Sequence, residues 1–246
     1  MLRTRLIEKG VGAGKDFRWR SNEITRIEGL SDAVFAFAVT LLVISLEVPK
    51  TFGELMGAMH GIGAFAISFA ILFQVWHLQY IFFRRYGLQD TVTIVLNGVL
   101  LFVVLCYVYP LKFLFLLLVK LFTGGSIDVH MAGGAVEPMI AGEQVPTLMI
   151  IYGIGFTAVF SVFSLLYYHA YRKRADLELS EPEVFDTLSS VRENVLSVGI
   201  GVLSIAIALI GGPAHAAISG YVYILLGPTL TIHGMVSGKR RKKLYE

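Results

Sequence analysis

Residues 26–49, RIEGLSDAVFAFAVTLLVISLEVP, contain an apolar run long enough to cross a membrane as a helix. About 20 helical residues, rising about 1.5 Å each, span a hydrocarbon core about 30 Å thick. Asp32 lies near the start of this run, where a carboxylate is costly unless it faces protein or water. Asp32 therefore either marks a functional site or caps the helix start in the headgroup region.

The rest of the 246-residue chain is similarly apolar, with 55% hydrophobic and 16% charged residues. A soluble domain of this size cannot bury so much apolar surface, so the composition predicts an integral membrane protein. After a first span at about residues 25–48, further runs lie at about 55–83, 91–122, 146–171, 191–210 and 214–236. We therefore expect an all-α polytopic membrane protein with six transmembrane helices. Residues 25–237 form its membrane domain, between a cytoplasmic segment, 1–24, and a basic cytoplasmic tail, 238–246.

Helix-breaking residues predict where these spans bend or end. The third run contains Pro110, and at its length it must tilt, kink or extend into the interface. Residues 211–213, Gly-Gly-Pro, end the fifth run, and Gly227 with Pro228 interrupts the sixth.

Two polar segments separate the spans in the second half of the chain. The glycine-rich residues 123–145 contain no lysine or arginine, and we expect a loop with at most a short re-entrant or surface piece. Ser180 and Glu183 fit a capping box, which predicts a short amphipathic helix leading toward the membrane.

The distribution of basic residues predicts the topology. Seven lysines and arginines precede or begin the first span, two follow the second, four lie between the fourth and fifth, and five lie in the tail. By the positive-inside rule both termini are cytoplasmic. The basic tail is therefore first a topology anchor and second a contact for anionic lipid, and we expect no nucleic-acid partner.

No catalytic constellation is recognisable, so we expect neither an enzyme nor a cofactor. The sequence has no Walker loop, HExxH, CxxC or GxSxG, its six histidines lack metal-ligand spacing, and its single cysteine excludes an intrachain disulfide. Three acidic residues and one histidine of the 123–145 loop could form a site only if they bound a metal; they are Asp128, His130, Glu137 and Glu143.

The first span has an apolar stripe at helical spacing. Phe37, Leu41, Ile44 and Val48 recur at i, i+4, i+7 and i+11. On spacing alone, packing in the protein core explains this stripe better than a pore does, because most apolar stripes are core.

The same stretch resembles the first helix of the transmembrane protein 175 family of lysosomal and bacterial potassium channels. That family carries an Arg-x-x-x-Phe-Ser-Asp motif, which Arg26, Ser31 and Asp32 match. Leu30 stands at the phenylalanine position, a conservative departure.

The resemblance continues to about residue 115. The segment WHLQYIF, with Trp76 and His77, resembles the second helix of the family. The segment LNGVLLFVVLCYVYPLKFL, with Asn97 and Pro110, resembles the third. The last three helices match mainly in number and length.

The resemblance implies a homotetramer in the lipid bilayer of a bacterial plasma membrane, with the first helix of each subunit lining a pore for potassium ions. Carried over from the Ser-Asp pair, the constricting rings are Phe37, Leu41 and Ile44, and Thr40 takes part in selectivity. Phe37 departs from the aliphatic residue usual at the innermost ring. A hydrophobic constriction of this kind gates by dewetting.

The remaining matched residues are polar or aromatic and take a supporting role. Polar groups within apolar spans need partners there, so we expect them to hold the pore helix at a fixed tilt. Glu47 at the outer mouth either raises the local cation concentration or is an ordinary solvated carboxylate. The expected supporting residues are Arg26, Ser31, Asp32, Trp76, His77 and Asn97.

Other functions remain open at this point. A proton-permeable channel is compatible with an apolar constriction near an aspartate. A secondary transporter would need broken helices and coupling residues at mid-membrane, for which the sequence offers Pro110, the Gly227–Pro228 pair and His77. A non-conducting scaffold or membrane enzyme is the third possibility.

Overall fold

Seven α-helices make up most of the part of the chain that the computed structural model describes, residues 17–21, 23–44, 51–60, 62–123, 128–130 and 136–245. Short 3₁₀ helices lie at Gly142–Gln144 and Val222–Leu225, and a two-stranded antiparallel hairpin pairs Asp128–His130 with Val136–Pro138. In chain order the helices are α1 (Arg26–Ile44), α2 (Phe52–His60), α3 (Ile62–Tyr86), α4 (Thr91–Thr123), α5 (Val145–Arg172), α6 (Glu181–Tyr221) and α7 (Leu226–Tyr245).

The predicted helical membrane fold with six spans is confirmed. Five segments of the described chain are long and apolar enough to cross a membrane, namely 62–86, 91–121, 142–172, 181–213 and 215–245. The sixth is α1, which carries three charged side chains in its first two turns: Arg26, Glu28 and Asp32.

Gly212 separates the fifth and sixth spans, as the Gly-Gly-Pro sequence predicts. Its backbone angles, φ 56° and ψ −161°, are not helical and favour glycine, so the chain turns between two helical halves of α6. The Ser204 hydroxyl in the first half donates a hydrogen bond to the Ser219 carbonyl in the second, 2.8 Å away.

In the second run the structure describes α2 and α3, on either side of residue 61. One boundary prediction needs correction. The sixth span is interrupted at Val222–Leu225, one turn before the predicted site, and Pro228 lies in the first turn of α7, where its missing N–H is not needed. The expected loop after α4 contains the short hairpin described above.

Charged side chains fasten the amino-terminal segment to the start of α6. The predicted capping box is confirmed, because the Ser180 amide donates to Glu183 Oε2 at 2.9 Å. The two terminal guanidinium nitrogens of Arg20, Nη1 and Nη2, also donate to this carboxylate, at 3.0 and 2.7 Å, and Arg20 Nε donates to the Leu177 carbonyl. The Arg20 and Glu183 side chains are only 11% and 4% exposed.

A second charged cluster lies at the turn between α3 and α4. Asp90 contacts His169 Nε2 at 2.7 Å and Lys173 Nζ at 3.3 Å, and accepts a hydrogen bond from the Thr93 hydroxyl. Partial burial acts to raise the pKa of Asp90, but hydrogen bonds from Thr93, His169 and Lys173 and the charge of the His169 ring outweigh it and lower the pKa to about 2. The carboxylate therefore stays ionised and ties the turn to the end of α5.

The helix α1 lies at the edge of this assembly. In the described chain it packs against α3 and α4 and against no other helix. Its buried contacts form one apolar cluster, in which Phe35, Ala38 and Leu42 of α1 meet Leu72 of α3 and Val104 of α4. One side of α1 is thus held firmly, and the other side packs against no other described helix of the chain.

We predict that Arg20→Met lowers the free energy of unfolding by about 3 kcal/mol, because it leaves the buried Glu183 carboxylate without its charged partner. Thermal unfolding of the detergent-solubilised protein measures the change. Arg18→Met is the matched control: its guanidinium lies 3.9 Å from an exposed Glu178 carboxylate, a pair of little energetic weight. Equal losses of stability in the two variants would contradict the prediction.

Candidate functional site: the bare face of the first helix

Two opposite faces of α1 differ in burial rather than in polarity. Ser31, Phe35, Ala38 and Leu42, at i, i+4, i+7 and i+11, are all buried against α3 and α4. On the far side Ala33, Phe37 and Thr40 are exposed, and Phe37 keeps 55% of its surface accessible. We call this far side the bare face.

The sequence-predicted ring residues do not all lie at the same place on α1. Phe37 and Thr40, three residues apart, lie on the bare face, and Ile44 follows Thr40 by four residues along the same helix. Leu41 is half-buried and packs against the apolar cluster, so it lies at the flank of the bare face. Glu47 lies outside the described residues.

Thr40 is the polar group at the centre of the bare face. Its hydroxyl donates a hydrogen bond to the Ala36 carbonyl of the preceding turn, at 2.9 Å. A hydroxyl has one proton and two lone pairs, so its oxygen keeps acceptor capacity directed away from the helix backbone.

A chain of hydrogen bonds fixes the rotation of α1. The Asn97 amide of α4 donates to the Ser31 hydroxyl at 2.9 Å, and the Asn97 amide oxygen accepts from Gln79 of α3. Ser31 in turn donates to the Ile27 carbonyl at 2.8 Å. The three linked side chains are almost fully buried, so each relies on the others for its hydrogen bonds.

Sequence reasoning found Ser31 and Asn97 but missed Gln79. The available signal was its position three residues after Trp76, which places both side chains on neighbouring parts of one helix face. It also missed a capping box at the start of α1, although the Thr-x-x-Glu signature is present. There the Thr25 amide donates to Glu28 Oε2 at 2.8 Å and the Glu28 amide donates to the Thr25 hydroxyl at 3.3 Å.

Asp32 is exposed and contacts α3 through one hydrogen bond. Trp76 Nε1 donates to Asp32 Oδ1 at 2.8 Å. The Trp76 ring lies between Phe73 and Tyr80, with centroids 5.2 and 5.7 Å away. An apolar groove of about 270 Å³ runs beside this contact, between Phe35 and Ala36 of α1 and the aromatic side chains of α3.

Two motif residues have weaker contacts than expected. Arg26 is exposed, and among the described residues it forms neither a hydrogen bond nor an ion pair. His77 is also exposed, and its ring lies 6.3 Å from that of Tyr80, without a hydrogen bond to any described residue. In the part of the chain that the structure describes, no three His, Cys, Asp or Glu side chains lie close enough to hold a metal ion.

Comparisons with known proteins give matches to this region and to nearly the whole chain. The family model described as "Endosomal/lysosomal potassium channel TMEM175" matches residues 26–107. A potassium channel of Marivirga tractuosa is 40% identical over 98% of this chain and 99% of its own length. A potassium channel of Streptomyces collinus is 33% identical over 36% of this chain and 46% of its own length.

Two solved structures resemble the fold. The MtTMEM175 T38A variant, described as a potassium channel and solved with a nanobody–MBP fusion, has a TM-score of 0.82 and 41% identity. The match covers 93% of this chain and 100% of that one. A lysosomal potassium-selective channel TMEM175 homolog from Chamaesiphon minutus has a TM-score of 0.54 and 23% identity, over 88% of this chain and 99% of its own, and supports the fold alone.

We predict that Gln79→Leu lowers the free energy of unfolding by about 1–3 kcal/mol, because it leaves the buried Asn97 oxygen without its donor. Unfolding by heat in a mild detergent measures the loss. Gln74→Leu makes the same change at an exposed position of α3 and should leave the midpoint unchanged. If both variants unfold like the wild type, the hydrogen-bond chain does not hold α1.

Proposed function

This chain belongs to the TMEM175 family, and from that premise we propose that it is a potassium channel whose pore is lined by the bare face of α1. The main observation that supports this proposal is that α1 is buried on one side only, while Phe37 and the hydroxyl-bearing Thr40 are exposed on the opposite side. Whole-length similarity to the potassium channel of Marivirga tractuosa and to the MtTMEM175 structure supports the proposal. Conduction is passive and needs no cofactor or catalytic residue.

We further propose that four copies of the chain surround the pore. A pore needs several helices around its axis, and each chain supplies one helix with a bare face. In this arrangement Phe37, Thr40 and Ile44 point toward the axis, and Leu41 supports them from the flank, where it packs against α3 and α4. Four Phe37 rings form an apolar constriction that opens and closes by wetting and dewetting.

The Thr40 hydroxyl is the proposed selectivity group. Because its proton is donated to the Ala36 carbonyl, the oxygen can present lone pairs to a passing cation. Oxygen ligands replace part of the hydration shell of an ion and compensate for the cost of removing water. The four Thr40 hydroxyls of the proposed tetramer therefore supply a ring of polar ligands next to the apolar constriction.

The rest of the chain orients this pore. The distribution of basic residues predicts that both termini are cytoplasmic. We place the protein in a bacterial plasma membrane, with residues 25–237 as the channel domain between the segments 1–24 and 238–246. Glu47 then stands at the outer mouth, where four carboxylates raise the local cation concentration. At the inner end of α1 the proposed supporting residues are Ser31, Asp32, Trp76 and Asn97, whose hydrogen bonds join α1 to α3 and α4.

We predict that the purified protein in liposomes passes potassium, and that Phe37→Asn raises the flux about tenfold. A polar side chain keeps the constriction wet, and about 1.4 kcal/mol removed from a barrier is a tenfold rate. Valinomycin-calibrated potassium flux measures the effect, and a parallel pH-gradient assay detects proton flow.

The control Val95→Asn introduces the same side chain on the exposed surface of α4 and should leave the flux unchanged. No flux from the wild type would overturn the channel proposal, and saturable, gradient-coupled uptake would identify a transporter instead. Proton flow without potassium flow would identify a proton channel.

We also predict that Thr40→Ala reduces the permeability of potassium relative to sodium by about fivefold, while Thr40→Ser retains it. Losing one oxygen ligand costs about 1 kcal/mol, which corresponds to that factor, and serine preserves the hydroxyl. Reversal potentials under bi-ionic conditions give the ratio. An unchanged ratio in the alanine variant would remove Thr40 from the selectivity mechanism.

A further inference from the structure

Lys112 is a basic side chain inside the apolar helix α4, in the sequence YPLKFLFLL. Its ammonium donates a hydrogen bond to the Leu42 carbonyl of α1, with an Nζ–O distance of 3.0 Å. Lysine within a membrane span is costly, so such residues face protein or a water-filled cavity and serve a purpose there. The charge of Lys112 is directed at the backbone of α1.

Among the described residues, this contact is a second polar connection between α4 and α1, at another level of the helix pair. The first joins Asn97 to Ser31, so α1 and α4 run in the same direction, and the two contacts lie about 16 Å apart along α1, since 11 residues separate Ser31 from Leu42. Phe37 and Thr40 lie between these two levels.

We propose that Lys112 is a positioning residue for the pore, which pins the outer half of α1 and thereby fixes the Thr40 ring. This inference rests on the proposed channel function. A charge-assisted hydrogen bond is about twice as strong as a neutral one, and it is directional, whereas the apolar contacts of Leu42 and Val108 allow sliding and rotation.

The position of Thr40 is sensitive to this pin. Thr40 lies two residues before Leu42 on the same helix, and its hydroxyl is on the bare face, opposite the contact with Lys112. A rotation of α1 about its axis moves all four hydroxyls away from the pore axis together. Oxygen ligands discriminate between ions only when they are held in place, so a loosely held ring conducts with less selectivity.

The test compares Lys112→Met, which removes the ammonium but keeps a stem of similar length, with Lys112→Arg, which keeps the charge and the donors. We expect the methionine variant to lose potassium-over-sodium selectivity by about fivefold, like Thr40→Ala, and the arginine variant to keep it. Tyr109→Phe, on the exposed surface of α4, is the control and should match the wild type. Bi-ionic reversal potentials provide the measurement.

Measuring selectivity at different salt concentrations distinguishes pinning of α1 from a direct electrostatic effect of Lys112 on ions in the pore. At about 1 M salt the Debye length in water is about 3 Å, so a field of the Lys112 charge that reaches ions through the water of the pore would be screened. The pinning proposal predicts that the loss of selectivity persists. If the loss disappears at high salt, or if the methionine variant selects like the wild type, the proposal is wrong.

An amide-exchange measurement tests the pin independently of conduction. Lys112→Met should exchange amides of residues 40–44 faster than the wild type, and Lys112→Arg should not. If the wild type fails to conduct, the channel proposal fails, and this measurement alone decides whether Lys112 pins α1. Unchanged exchange in the methionine variant would then overturn the inference.

Discussion

The hydrogen-bond chain from Gln79 through Asn97 to Ser31 is the constraint on which the candidate site depends. These side chains are buried between three helices, where no water can replace a lost partner. A rotation of α1 by one residue would remove Ser31 from Asn97 and leave both polar groups unsatisfied. These hydrogen bonds therefore determine which side of α1 is buried and which side forms the bare face.

Away from α1 the molecule is held together by two different kinds of contact. Charged networks, of which Arg20 with Glu183 and Asp90 with His169 are the clearest, tie loops to helix ends outside the apolar layer. Between α4, α5 and α6 the helices approach closely, because side chains of one helix pack directly on glycines of another, such as Gly153 and Gly201. Within the described part of this scaffold, α1 packs against α3 and α4 alone.

The sequence predicts much of the fold because lipid imposes simple rules. Apolar runs of membrane length, a capping box at Ser180 and a Gly-Gly-Pro break at Gly212 each have a local physical cause, and the structure has each of them. The missed features depend on tertiary contacts. Nothing local to Gln79 identifies Asn97 as its partner. Periodicity likewise predicts an apolar stripe through Leu41 but not the environment that the stripe faces. An apolar side chain fits the core, the lipid or the pore equally well.

The polar groups on the exposed side of α1 favour a position beside a pore over a position facing lipid. An apolar bare face alone would suit lipid, so the exposure of Phe37 does not distinguish the two positions. Arg26, Asp32 and Thr40 are also exposed on α1, over a length of about 21 Å at 1.5 Å per residue. In hydrocarbon such groups need water or another protein chain. In the proposed tetramer a central aqueous path between the copies of α1 would satisfy that need, whereas a helix facing lipid would not.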